Sequence, residues 1–290
     1  MNIICMSIIM LVYFWDPDDL RCCWEKDWLS ELFPGHEYVI CDSSEAEFPD
    51  GTVFVINRHT MQHSSVWQRN KHFLVHLSDE GLSDDTTWYW HPNCVHVFRN
   101  YIKPSLRKSS KVTNLPLGYK TGLVMGSKWS CADRSLMWSF VGCTRKSNRA
   151  KILQNISHVK PSICHQVAGW NTPDCLDVDR YRRILVATWM VPCITGNTSI
   201  DTFRLYESLE CGCIPIVIRT NSAYDKTGTD YYKCLFGDDH PIPTVVDMER
   251  DLARAMDDLK PKLAQKRLEI SEWYQNYKQA LVKRIHEIVH

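Results

Sequence analysis

The chain has 290 residues, 44% hydrophobic, 23% charged and 11% aromatic, enough for about two domains of ~100–200 residues and too apolar for a disordered chain. Thirty-four basic and 34 acidic side chains cancel, so no overall field recruits nucleic acid or an anionic membrane. The balance hides a gradient: residues 1–85 carry 15 acids and 5 bases, residues 86–173 carry 13 bases and a single acid, Asp133, and residues 174–290 are nearly even. A basic middle third reads either as a solvated surface or as a cleft for a small polyanion.

Taken in chain order, apolar runs alternate with amphipathic stretches, the pattern of parallel α/β sheets. Ile3 to Trp15 is almost continuously apolar. It lacks a basic flank and is shorter than the ~20 residues a membrane helix needs, so it predicts a buried strand at 7–14 rather than a signal or a span. A helix is expected at 20–33, and strands at 38–41, 52–56, 72–77, 95–98 and 112–115. Residues 118–130 read as a link between domains. Beyond it, strands are expected at 136–141, 162–167, 184–191 and 214–218, and helices at 149–156 and 201–211. The end is largely helical from Asp247, with a break at Pro261. Thirteen cysteines without C-x-x-C spacing disfavour zinc ribbons and suit buried thiols in a reducing, cytoplasmic compartment. The expected division is 1–125, then 130–270, with a last helix at 271–290 returning to the first domain. Ligands of such sheets bind at the carboxyl ends of strands.

Three stretches carry chemistry. His76-Leu-Ser-Asp79-Glu80-Gly81 follows an apolar strand, where a carboxylate serves as a general base or simply caps a turn. Asp79 is the first choice for the base, Glu80 the second and His76 the third. Phe140-Val-Gly142 leads into Arg145, Lys146 and Arg149; glycine admits a close ligand and the bases neutralise a diphosphate. It is neither a Walker A loop nor a dinucleotide fingerprint. The third is the small-residue loop 195–199, where Thr198 or Ser199 would cap a helix opening at Ile200 or Asp201 and so form a phosphate cradle. Arg204 and Glu207 then share one helix face. An arginine fork brackets a diphosphate and a carboxylate accepts ribose hydroxyls, although the same spacing also makes an ordinary ion pair. Asp16/Asp18 and Asp177/Asp179 have D-x-D spacing but not the placement of a metal-dependent sugar transferase. Trp88, Tyr89 and Trp90 are either core or a sugar-stacking surface.

Thr202, Arg204, Glu207, Ser208, Leu209, Gly212, Cys213, Ile214 and Pro215 resemble the T-x-R-x-x-E-(A/S)-L-x-x-G-C-I-P pattern of the exostosin-type glycosyltransferases of family 47. Pro192-Cys-Ile-Thr-Gly196 replaces that family's Pro-Arg-Gly turn. The resemblance is clear over 140–219. Phe98-Arg99-Asn100-Tyr101 and Leu115-Pro-Leu-Gly118-Tyr119-Lys120 add similarity to the small viral (chlorovirus) and ribitol xylosyltransferase-like branch. The resemblance implies an α/β fold of GT-B type, two Rossmann-like domains facing a central cleft. It also implies inverting, metal-independent transfer from a UDP-sugar, xylose first, to an oligosaccharide or glycoprotein acceptor. Gly142, Arg145, Arg149, Thr198, Ser199 and Arg204 would hold the diphosphate, Glu207 the ribose, and Asp79 or Glu80 would be the base. No cofactor, metal, nucleic acid or membrane span is expected. A GDP-sugar transferase of fucosyltransferase type and a non-catalytic nucleotide-sugar or glycan-binding module remain as alternatives.

Overall fold

A computed structural model describes residues 9–16, 18, 24–123, 134–146, 148–169, 172–196, 198–220 and 228–290. The chain forms two units, Met1–Pro116 with Lys278–His290, and Leu117–Tyr277.

In the first unit the elements are β1 (Met10–Tyr13), α1 (Lys26–Leu32), β2 (Glu37–Ile40), β3 (Thr52–Ile56), α2 (Ser64–Trp67), β4 (His72–His76), β5 (Cys94–Arg99) and β6 (Val112–Asn114). The strands form one sheet in the order β2-β1-β3-β4-β5-β6, and each neighbouring pair runs parallel. Every residue of β3 and β4 is buried, as strands covered on both faces require. Phe54, Ile56, Trp67, Leu74 and Val97 join one apolar cluster, and burying each aliphatic or phenyl side chain favours the fold by roughly 1.5–3 kcal/mol. The edge strand β2 exposes Glu37, Tyr38 and Ile40.

The second unit holds β7 (Leu136–Gly142), α3 (Arg149–Asn155), β8 (Ser162–Gln166), α4 (Val178–Val186), β9 (Thr188–Cys193), α5 (Phe203–Glu210), β10 (Ile214–Ile218), α6 (Tyr231–Phe236), β11 (Thr244–Val245) and α7 (Met248–Leu259). Its parallel sheet has the order β11-β10-β9-β7-β8. The last helix, α8 (Leu263–Val289), is divided between the units at Tyr277 and Lys278. In each sheet the first strand lies inside: β1 between β2 and β3, β7 between β8 and β9. Chain order reverses there, so the connections leave to opposite sides and open a crevice beyond the carboxyl ends.

Two expectations on local structure change. The strand expected at 184–191 is a helix up to Val186, a break at Ala187, and a strand only from Thr188. The apolar run Ile184-Leu-Val supplies the last turn of α4, whose start is fixed by Asp177 accepting from Arg180 N–H; the cap and the preceding arginines outweigh β-branched propensity. Likewise α5 starts at Phe203 with Thr202 as N-cap, and Thr202 makes no side-chain cap bond. Neither Thr198 nor Ser199 caps it. Ser199 Oγ instead accepts from Asp201 N–H at 3.0 Å, closing a local turn that postpones the helix. Expectations for residues 7–8, 20–23 and 124–130 lie outside the described residues.

Candidate functional site

At the switch point of the second unit, β7 delivers Val141, Gly142 and Cys143 beside the segment that leaves β9 through Thr195. Arg204, in the first turn of α5, donates through Nη2 to Val141 O at 2.9 Å. Its guanidinium carbon stands 4.3 Å from the Phe140 ring centroid, a cation–π contact. This seat needs glycine at 142. There φ is +153°, and a Cβ would lie 2.7 Å from Arg204 Nη2. Arg204 Nε and Thr202 Oγ1 are buried without hydrogen-bond partners, and each unmet group costs about 1–3 kcal/mol until something pairs with it.

Arg149 is 6% exposed and bonded to main chain. Its Nε donates to Thr195 O at 3.0 Å and its Nη1 to Cys143 O at 2.9 Å, with Nη2 also on Thr195 O. The side chain therefore fastens the end of β7 to the segment after β9. Arg145 is exposed and donates to Ala168 O, past the end of β8. Thr198 is exposed and Ser199 buried. Glu207, one turn along α5, accepts from Tyr181 Oη–H at 2.7 Å and from the Lys120 main-chain N–H. Burial pushes its carboxyl above the usual range, against the pull of Tyr181 and Arg204. Thus the fold brings Gly142, Arg149 and Arg204 into one bonded cluster with Glu207 beside it, and turns Arg145 toward the β8 side.

Sequence reasoning gave no role to Phe140 or Asp201. Phe140 lies two residues before Gly142 on the same strand, hence on one face of it, and this spacing was the available signal. Asp201 is 2% exposed. It accepts from Tyr206 Oη–H at 2.8 Å and from Tyr231 Oη–H at 3.2 Å. Burial, opposed by these donors, pushes its carboxyl up to about 7. Nothing in the spacing of Asp201 and Tyr231 announces that contact.

In the first unit, Asp79 and Glu80 stand in the loop that leaves the carboxyl end of β4. Asp79 is 3% exposed. Its Oδ2 accepts from Arg99 Nη2 at 2.9 Å, and its Oδ1 accepts from the N–H groups of Ser83 and Asp84 at 2.9 and 3.2 Å. Arg99 also donates to Tyr89 Oη at 3.0 Å and to Tyr101 O at 3.1 Å. The Tyr89 hydroxyl donates to His76 Nδ1, and His76 Nε2–H donates to Asp84 Oδ2 at 3.1 Å. These partners assign the neutral Nε2–H tautomer, and burial holds the imidazole below its ordinary value. Tyr89 thus belongs to a polar network, whereas Trp90 is exposed with Lys111 Nζ 6.0 Å above its ring. Ser78, Leu82 and Tyr101 all have positive φ, at 67°, 54° and 58°.

The D-x-D pairs have other employment. Asp177 caps α4, Asp179 pairs with Arg182, and Asp18 pairs with Lys26. Among the described residues no three His, Cys, Asp or Glu side chains form a metal-binding group.

A family described as the RXYLT1 C-terminal domain matches residues 124–290. The chain belongs to that family. It is a ribitol xylosyltransferase-like family, which makes the chain a glycosyltransferase. The matched span of the RXYLT1 C-terminal domain runs from before β7 through α8 and so contains the whole Arg204 cluster. Among solved structures, the crystal structure of an α1,3-fucosyltransferase matches at a TM-score of 0.53 and 10% identity, covering 100% of this chain and 94% of the other. Two parallel-sheet units in one chain together with that likeness give a fold of GT-B type. No curated protein matches the chain. No helix among the described residues is long and apolar enough to cross a membrane.

Proposed function

We propose that this RXYLT1-family chain transfers a sugar, xylose first among candidates, from a UDP-sugar to a hydroxyl of a glycan or glycoprotein, with inversion and without a metal ion. The observation that carries this reading is the seat of Arg204: a guanidinium fixed by Val141 O and Phe140, in space only Gly142 leaves open, with Nε still unmet. A diphosphate oxygen is the partner such a fork pairs with best. Arg149 holds this seat in shape through Cys143 O and Thr195 O, and Glu207 accepts the ribose hydroxyls.

In the transfer, a carboxylate takes the acceptor's hydroxyl proton as the acceptor oxygen attacks the anomeric carbon. The bond from that carbon to the β-phosphate oxygen breaks, and UDP leaves with the electron pair. Arg204 stabilises the charge growing on it. Asp79 already accepts three N–H bonds and is nearly inaccessible, whereas Glu80 is only half-buried. The base is therefore assigned to Glu80, and Asp79 holds the loop.

Thermal unfolding with UDP or GDP, each with and without chelator, tests the donor. UDP at ~100 times its Kd stabilises by ~2.7 kcal/mol, and chelator leaves that gain unchanged. Stabilisation by GDP alone contradicts the donor assignment, and loss of the UDP effect with chelator contradicts metal independence.

A further inference from the structure

We propose that Arg99 is the positioning residue for the acceptor half of the reaction: through Asp79 it fixes the loop 77–84 in a strained form that presents Glu80. The inference rests on the transferase reading above.

Arg99 closes β5 and is 0% exposed. An arginine buried this deeply is costly unless its N–H groups are paired. Nη2 goes to Asp79, Nη1 to Tyr89 and Nε to Tyr101 O. Each bond reaches a different segment, so one side chain joins the loop after β4, the turn carrying Tyr89 and the residues after β5. Asp79 passes the constraint on, because its Oδ1 gathers the Ser83 and Asp84 N–H groups. His76 holds the far end of the loop through Asp84, and Lys103 Nζ bonds Asp84 O at 3.0 Å.

The loop is not in a relaxed form. Ser78 and Leu82 bracket Asp79-Glu80-Gly81 with left-handed backbone, and Tyr101, whose carbonyl Arg99 holds, is left-handed too. Such residues persist only where surroundings over-determine them, and they gather at functional sites. Asn100 adds a second sign. Its Oδ1 accepts from Ser78 N–H at 3.1 Å, yet its Nδ2 is buried with no partner. A loop selected for stability alone would carry neither the strain nor the unmet donor.

The test uses the whole chain and two variants. Arg99→Lys keeps the charge and loses the three-way fork. Arg99→Met/Asp79→Asn removes the ion pair without leaving a buried charge alone. Calorimetry measures UDP affinity, and release of UDP from UDP-xylose, with water standing in for the acceptor, gives kcat and KM per UDP-binding site. Both variants are expected to bind UDP within twofold of the unaltered chain with KM unchanged, while kcat falls at least ~30-fold for Arg99→Lys and further for the double variant. A merely structural role lowers the number of binding sites and leaves kcat per site alone. A kcat within threefold of the unaltered chain in Arg99→Lys overturns the proposal even where the double variant does not fold. Failure of the unaltered chain to bind UDP or cleave UDP-xylose overturns the UDP-xylose donor reading and the inference with it, whereas an unaltered chain that does both beside variants whose kcat does not fall overturns the inference alone.

Discussion

Arg204 occupies the space that any side chain at position 142 would take, and its role is therefore testable without touching it. Gly142→Ala brings a Cβ to 2.7 Å from Nη2 at a left-handed backbone position, so the guanidinium must leave its place on Phe140. UDP affinity is expected to fall by ~10-fold or more, equivalent to about 1.4 kcal/mol, in an isothermal titration of that variant. Asp201 supports a second prediction. Its carboxyl rises from 3.8 to about 7 because the site is buried, so the folded chain binds more protons than the unfolded one between those values. Stability contributed by this group accordingly falls as pH rises through ~4 to ~7 and levels off above. Glu25, also raised to about 7 by burial, gives a slope of the same sign. The informative quantity is therefore the difference: Asp201→Asn should show a flatter urea midpoint between pH 5 and pH 7.5 than the unaltered chain. Gly142, Arg204 and Glu207 were singled out by their spacing together with the family resemblance, and the structure sets Gly142 against Arg204. Asp201 was not singled out, because its meaning depends on Tyr231 from another element.

At the scale of elements, the sequence revealed strands better than their joints. The runs Thr52–Ile56, buried throughout, and Ile214–Ile218, buried up to Val217, stand where they were expected, since a covered parallel strand has little else it can be. The start of α5 falls later than expected because Ser199 closes a local turn, and the strand expected at 184–191 gives way to the last turn of a helix that Asp177 caps at its start. Arg149 was expected on the diphosphate, but its donors serve Cys143 O and Thr195 O. Residue type and charge indicated an arginine near the site, and only the fold could say what it grips. Arg149→Met removes the partner of two carbonyls in this region and should destabilise the chain by about 2–4 kcal/mol, read from urea unfolding. Arg149→Lys should recover only part of that, because a single ammonium cannot span both.

Across the whole molecule, part of the basic middle third has an explanation that neither reading of it gave. Arg99 is paired inside the first unit, while Arg134 donates to Leu185 O at 3.1 Å and to Cys211 O at 2.7 Å in the second. With Arg149, three of the bases in that span serve as internal ties. These three are thereby withdrawn from any field that a ligand would meet. Both sheets place their first strand inside, and the Arg204 cluster sits where chain order reverses in the second, as the general geometry of such sheets anticipates. The alternation of apolar and amphipathic segments made that architecture legible, whereas the hydrogen-bond partners of the arginines were not.

The most direct measurement is a paired titration of UDP into the unaltered chain and into Arg204→Ala, with the unfolding midpoint of each recorded alongside. A drop in affinity of at least ~10-fold at an unchanged midpoint is the result expected of an arginine that grips a diphosphate. Equal affinities in the two proteins would place the nucleotide elsewhere and contradict the assignment of this cluster.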